Sequence, residues 1–221
     1  MKPVSKDDNF YFLFFALLVL FFGCAVMQQF YPQGQKTILF LIIMTLAVSI
    51  AGIHQERALY RSWYGLLLLT AGVSGVFSFF EDYNLSIVTL LALAAFLFSH
   101  IYSALKQVMQ ASNVTKNHII GSICIYLLIG LAWATIYLLI LEILPNAFNG
   151  LEEREWLSNL FNAMYFSFIT LTTVGYGDIS PVLPVAQFFV FMESIIGSFY
   201  LAIMVASLVS IRLNQGQDSQ N

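Results

Sequence analysis

The segment Thr170-Leu171-Thr172-Thr173-Val174-Gly175-Tyr176-Gly177-Asp178 has the types and spacing to handle an ion with no catalytic side chain among them. A dehydrated cation needs a ring of oxygens at one height in place of its hydration shell. Backbone carbonyls supply several stacked rings if successive residues aim them the same way. An ordinary strand alternates its residues between two faces, so alternate residues here must take left-handed dihedrals. Gly175 and Gly177 are spaced to do so without a Cβ clash. Thr173 adds a hydroxyl at one end of the stack, and Val174 and Tyr176 are expected to point backwards into packing that holds the loop open. Oxygen ligands without thiolate or imidazole suit a hard monovalent cation. The expected ligands are Thr173, Val174, Gly175 and Tyr176, with Gly177 completing the segment.

The rest of the chain has to position that segment. It is 221 residues long, 59% apolar and only 10% charged, with a mean hydropathy of +0.81. Soluble domains carry about 25% charge. Nine Lys and Arg, twelve Asp and Glu and three His cannot solvate the surface of a globule this size, so the composition implies an integral membrane protein. A net charge of −3 with scattered basic residues leaves no patch for nucleic acid. Cys24 and Cys124 both lie in apolar runs and make no disulfide framework.

Charge-free runs give the spans, since a helix crossing the bilayer needs roughly 17–25 mostly apolar residues. They are Phe10–Met27, Thr37–Ile53, Ser62–Phe80, Tyr83–Leu105, Ile119–Leu141 and about Leu183–Ile211, the last interrupted by Glu193. Trp156–Gly177 is long enough to be a seventh. The loop charges favour six. With the N-terminus inside, Lys2, Lys6, Arg57, Arg61, Lys106, Lys116 and Arg212 are cytoplasmic and only Lys36 and Arg154 are outside, as the positive-inside rule expects. A seventh span would move Arg212 outside. Trp156–Gly177 therefore reads as re-entrant, and non-helical backbone at membrane depth is tolerated only where protein buries it or it lines a wet cavity.

The expected fold is all-α: six transmembrane helices plus a re-entrant pore helix, starting near Ser158 or Asn159 as N-cap, and a filter loop. Residues 1–9 form a cytoplasmic N-terminus and 10–105 a four-helix region. Residues 106–118 are a cytoplasmic linker, 119–211 a pore domain and 212–221 a short cytoplasmic tail. No cytosolic ligand-binding domain is expected in this chain. The expected location is the cell membrane, multi-pass, with both termini cytoplasmic and lipid as surroundings.

Two residues of the last span stand out. Glu193 is the one formal charge inside a span, and intramembrane carboxylates are costly enough to imply a function or a specific partner. One turn before Gly197, it either braces the back of the pore helix through Ser167 or Thr170 or serves as an ion- or proton-sensing site. Gly197 costs about 1 kcal/mol against alanine in mid-helix, so it has a reason, either a bend or close packing. Beyond it Ser198, Leu201, Ala202, Val205 and Val209 recur at three- and four-residue intervals, a candidate cavity and inner-gate face, with the opposite phase as the alternative. Glu81, Asp82, Glu142, Glu152, Glu153, Glu155 and Asp178 make the outer loops acidic, which would concentrate cations at an entrance; a plain solvated turret explains them almost as well.

Thr170 and Thr172–Asp178 resemble the signature of tetrameric potassium channels, and Ala163–Ile169 before them resembles that family's pore helix. With a span on either side, the resemblance covers roughly residues 112–214. It implies K+ as the permeant ion at Thr173, Val174, Gly175 and Tyr176, no other cofactor, no enzyme chemistry, and a homotetramer, because one chain carries one filter strand. It also implies that an aromatic donor on the pore helix bonds the acid after the second glycine. Here that pair is Tyr165 and Asp178, with Tyr in place of the more usual Trp, and with Thr172 they would support the filter. Gly197 matches the family's gating glycine. Ile169 stands where some members carry a filter-modulating acid, so that contact is absent.

The sequence departs from the voltage-gated pattern. Moving one charge through 100 mV yields about 2.3 kcal/mol and several per subunit are needed, yet Tyr83–Leu105 contains no Lys or Arg. The expected function is a passive, voltage-insensitive, potassium-selective channel. The alternatives are a potassium transporter, whose relatives place four degenerate filter segments in one chain, and a non-conducting accessory subunit.

Overall fold

The structure is a computed structural model of the chain and describes residues 9–31, 42, 86–109, 116–151 and 155–218, with backbone alone at 9, 116 and 208–218. The expected spans Thr37–Ile53 and Ser62–Phe80 lie outside these residues, Ile42 excepted.

The described helices are α1 (Asn9–Phe30), α2 (Ser86–Met109), α3 (Lys116–Ile143), α4 (Trp156–Leu171) and α5 (Pro184–Asp218). Four are long and apolar enough to cross a membrane, over Phe10–Phe30, Ser86–Met109, Asn117–Ile143 and Pro184–Ser207. They coincide with the first, fourth, fifth and sixth of the charge-free runs. Helix α3 is apolar on all sides, the pattern of a helix surrounded by protein or lipid, and it is the hub: α1, α2, α4 and α5 all pack on it. Ile125, Leu128, Ala134, Tyr137 and Leu138 form its buried surface.

Helix α4 begins a turn earlier than its sequence suggests. Ser158 and Asn159 lie inside its first turn, and Glu155 occupies the N-cap position without a side-chain cap bond. The Ser158 amide donates to the Glu155 carbonyl (2.9 Å), while burial of Trp156 and Leu157 draws the extra turn into the core. Glu155 there complements the helix dipole. With 16 residues, α4 is about 24 Å long at 1.5 Å per residue, short of the roughly 30 Å hydrocarbon core.

The described fold is mostly helical, with one small addition. Two short strands, β1 (Phe148–Asn149) and β2 (Ser180–Pro181), pair antiparallel with Phe148 opposite Pro181 and Asn149 opposite Ser180. The Val182 amide extends the contact by donating to the Ala147 carbonyl (2.8 Å). Chain on both sides of the filter segment is extended here, and pairing satisfies backbone groups that no helix can serve. Because β1 precedes α4 and β2 follows the filter, the whole segment leaves and returns at one end of the bundle, the course of a re-entrant loop.

Candidate ion-conduction site

The site begins where α4 ends. The Ile169 carbonyl accepts from two later amides, Val174 (2.8 Å) and Gly175 (3.1 Å), and Thr170 accepts from Thr173 (2.9 Å). The Phe168 carbonyl takes both the amide (3.1 Å) and the hydroxyl (2.6 Å) of Thr172. These bonds wind the chain sharply back across the C-terminal end of α4. The segment then runs with positive φ at every second residue: Thr173 at 60°, Gly175 at 53° and Gly177 at 83°. Alternation of this kind turns successive carbonyls toward one side. Sequence reasoning anticipated it at both glycines and missed Thr173, since threonine pays a steric cost there that glycine does not.

All of Thr172–Asp178 is exposed, with Val174 at 52% and Tyr176 at 72%. The packing expected behind Val174 and Tyr176 is not supplied by the described part of their own chain. A Cβ on Gly175 or Gly177 would likewise meet nothing within 4 Å. The segment is tied to α4 as far as the Gly175 amide and its far end leads into β2, paired with β1, while the outward side of its middle is exposed. Asp178 at the far end shares a hydrogen bond with the Tyr165 hydroxyl, the pairing expected from the resemblance. Glu142, near the end of α3, shares one with Ser86, and it lies with Glu155 at the filter's end of the bundle. Glu81, Asp82, Glu152 and Glu153 fall outside the described residues.

Residues 123–212 match the family described as "Ion channel". The match takes in most of α3, all of α4, the filter segment and most of α5. A 53-residue stretch is 40% identical to the two pore potassium channel c of Oryza sativa subsp. japonica, covering 24% of this chain and 12% of that protein. No solved structure matches the chain.

Behind the site, on the channel-like portion, α3, α4 and α5 meet around Glu193, which is fully buried. Tyr137 of α3 donates its hydroxyl to Oε2 of Glu193. The Ser167 hydroxyl of α4 stands 2.5 Å from Oε1 and 2.7 Å from the Gly130 carbonyl. Of the two partners anticipated for Glu193, Ser167 is in contact. Thr170 instead lends its carbonyl to the Ser194 hydroxyl (3.4 Å). Tyr137 was missed: it is 56 residues from Glu193, and it is one of three large aromatic side chains on its span, beside Tyr126 and Trp133, with nothing to single it out.

Gly197, one turn on, lies against the end of α4, and α5 runs through it without interruption from Pro184 to Asp218. Glu193, Gly197 and Met204 are the buried positions on this stretch of α5. Ser198, Leu201, Ala202 and Val205 are exposed on the side turned from its own chain; the Val209 side chain lies outside the described residues. Two tyrosines join α5 to the end of α4 by way of α3. Tyr200 donates to the Ser122 carbonyl (2.7 Å), its ring stacks on Tyr126 at 5.6 Å, and Tyr126 donates to the Leu171 carbonyl (3.2 Å).

Proposed function

We propose that the protein is a potassium-selective channel subunit, four copies of which surround a central pore and conduct K+ passively with little dependence on voltage. The observation that carries this reading is the alternating left-handed backbone at Thr173, Gly175 and Gly177, on a Thr-Val-Gly-Tyr-Gly sequence at the end of a short re-entrant helix. Rings of carbonyls that replace a hydration shell are the device by which potassium channels select. The ion-channel match over the same residues and the potassium-channel relative support it.

Fourfold assembly is proposed because a single strand offers only one side of each ring and closed cyclic symmetry is the rule for homo-oligomers. The exposed middle of the filter and the exposed side of α5 are the surfaces that copies would cover. Carbonyl ligation needs no cofactor and no catalytic group. Both termini are assigned to the cytoplasm from the loop charges, in the cell membrane.

Purified protein in liposomes under opposed K+ and Na+ gradients tests this directly. The reversal potential should follow the K+ gradient, and native mass measurement should give a fourfold multiple of the 24.9 kDa chain. A reversal potential midway between the two ions' values, or a dimer as the largest stable species, refutes the reading.

A further inference from the structure

A buried acid in a membrane protein is accounted for by counting the hydrogens around it. The described groups touching the Glu193 carboxyl are the hydroxyls of Tyr137 and Ser167, and neither brings a positive charge. Each hydroxyl has one hydrogen to give. That of Tyr137 goes to Oε2. Ser167 faces two oxygens, Glu193 Oε1 at 2.5 Å and the Gly130 carbonyl at 2.7 Å, so one of these contacts must draw its hydrogen from elsewhere. The Gly130 carbonyl has none. We infer that Glu193 carries a proton on Oε1 and, as a neutral acid, ties α3, α4 and α5 together behind the ion site.

With that proton every contact is satisfied in one direction. Oε1–H donates to Ser167, Ser167 donates to Gly130, and Tyr137 donates to the carbonyl oxygen Oε2. Without it two oxygens would face each other at hydrogen-bond distance with lone pairs only, and a full charge would sit at 0% exposure with no basic partner among the described residues, which burial strongly disfavours. Among the described residues, the other titratable groups turned toward this place are phenols: Tyr137 and Tyr126 on α3. On α4 the facing group is Ser167, which does not titrate in the working range.

The tie reaches the ion site through two residues of chain. Ser167 precedes Ile169 by two positions, and the Ile169 carbonyl holds the amides of Val174 and Gly175. Glu193 is thus a positioning residue, acting on the filter through α4. This consequence rests on the channel reading; the proton itself does not.

Infrared spectra of the full chain in lipid, parent minus Glu193→Gln, test it. A carboxylic-acid carbonyl band that shifts in D2O should be present in the parent and lost in the variant. Glu193→Gln should stay far closer than Glu193→Ala to the parental thermal midpoint and K+ reversal potential, since its carboxamide puts an N–H toward Ser167 and a carbonyl toward Tyr137, with one further N–H to accommodate. Glu193→Ala, which strands both hydroxyls, should lose thermal stability and, where it still assembles, K+ selectivity. A difference spectrum showing carboxylate bands alone, or a Gln variant as damaged as the Ala variant, overturns the inference. If the parent proves unable to carry K+, the channel reading fails while the band and the thermal midpoints still report on the proton.

Discussion

The backbone of Gly197 passes so close to Leu171 that a Cβ placed on the glycine would stand 2.5 Å from the Leu171 carbonyl oxygen and 2.8 Å from its Cδ1. Leu171 is the last residue of α4, and its carbonyl also receives the Tyr126 hydroxyl. The glycine is therefore explained by the close approach of α5 to the end of α4. The Leu171 side chain can swing aside; its carbonyl, fixed in the backbone, cannot.

Gly197→Ala should accordingly destabilise the protein by about 1–3 kcal/mol, the usual cost of overpacking. A lowered thermal midpoint in detergent and a reduced yield of assembled protein are the expected outcomes. A variant with parental stability and an altered open probability would favour the hinge suggested by the family resemblance.

Gly175→Ala should behave differently, because nothing lies within 4 Å of the added methyl. The penalty is conformational, about 1–2 kcal/mol for an L-residue in the left-handed region, and it falls on the filter backbone alone. The variant should insert and assemble normally yet lose K+ flux in liposomes. Flux at the parental rate would show that the left-handed dihedral is not needed for conduction.

Tyr165→Phe removes the hydroxyl that bonds Asp178 and leaves the ring in place. Assembly should be unaffected, while K+ current under sustained flow should decline sooner than in the parent, because the far end of the filter loses a brace. Asp178→Asn, tested beside it, should produce the same decline. Steady currents from both variants would reduce the pair to an incidental surface contact.

Opening should depend weakly on voltage. The basic residue of α2 is Lys106, in its last turn, too near the helix end to cross much of the field. Lys106→Gln should leave the conductance–voltage relation unchanged in bilayer recordings. A steep relation in the parent, flattened by this substitution, would contradict the prediction.

How far the sequence could be read depended on the range of each interaction. Helices α1, α2, α3 and α5 follow from long apolar runs, free of charge except for Glu193 in the last, since the bilayer imposes one requirement on every residue of a span. The positive φ at Gly175 and Gly177 was legible because glycine marks it locally. The same conformation at Thr173 was not, since there the bonds from Ile169 and Thr170 impose it on a residue that does not favour it. Tyr137 and Glu193 meet only after three helices have packed, so no spacing along the chain announces them. The β1–β2 pair depends on two loops brought together by the re-entrant course. Trp156 and Leu157 moved the start of α4 because their burial outweighs the capping preference of Ser158.

Chains enter the membrane one at a time, and the open flank of Thr172–Asp178 bears on what a newly made copy can do there. A lone filter strand presents a row of oxygens on one side and lipid or neighbouring protein on the other, so an ion approaching it would shed more water than it regains. On the channel reading, an unassembled subunit is electrically silent. On the same reading, permeability would arrive only when the last copy closed the ring.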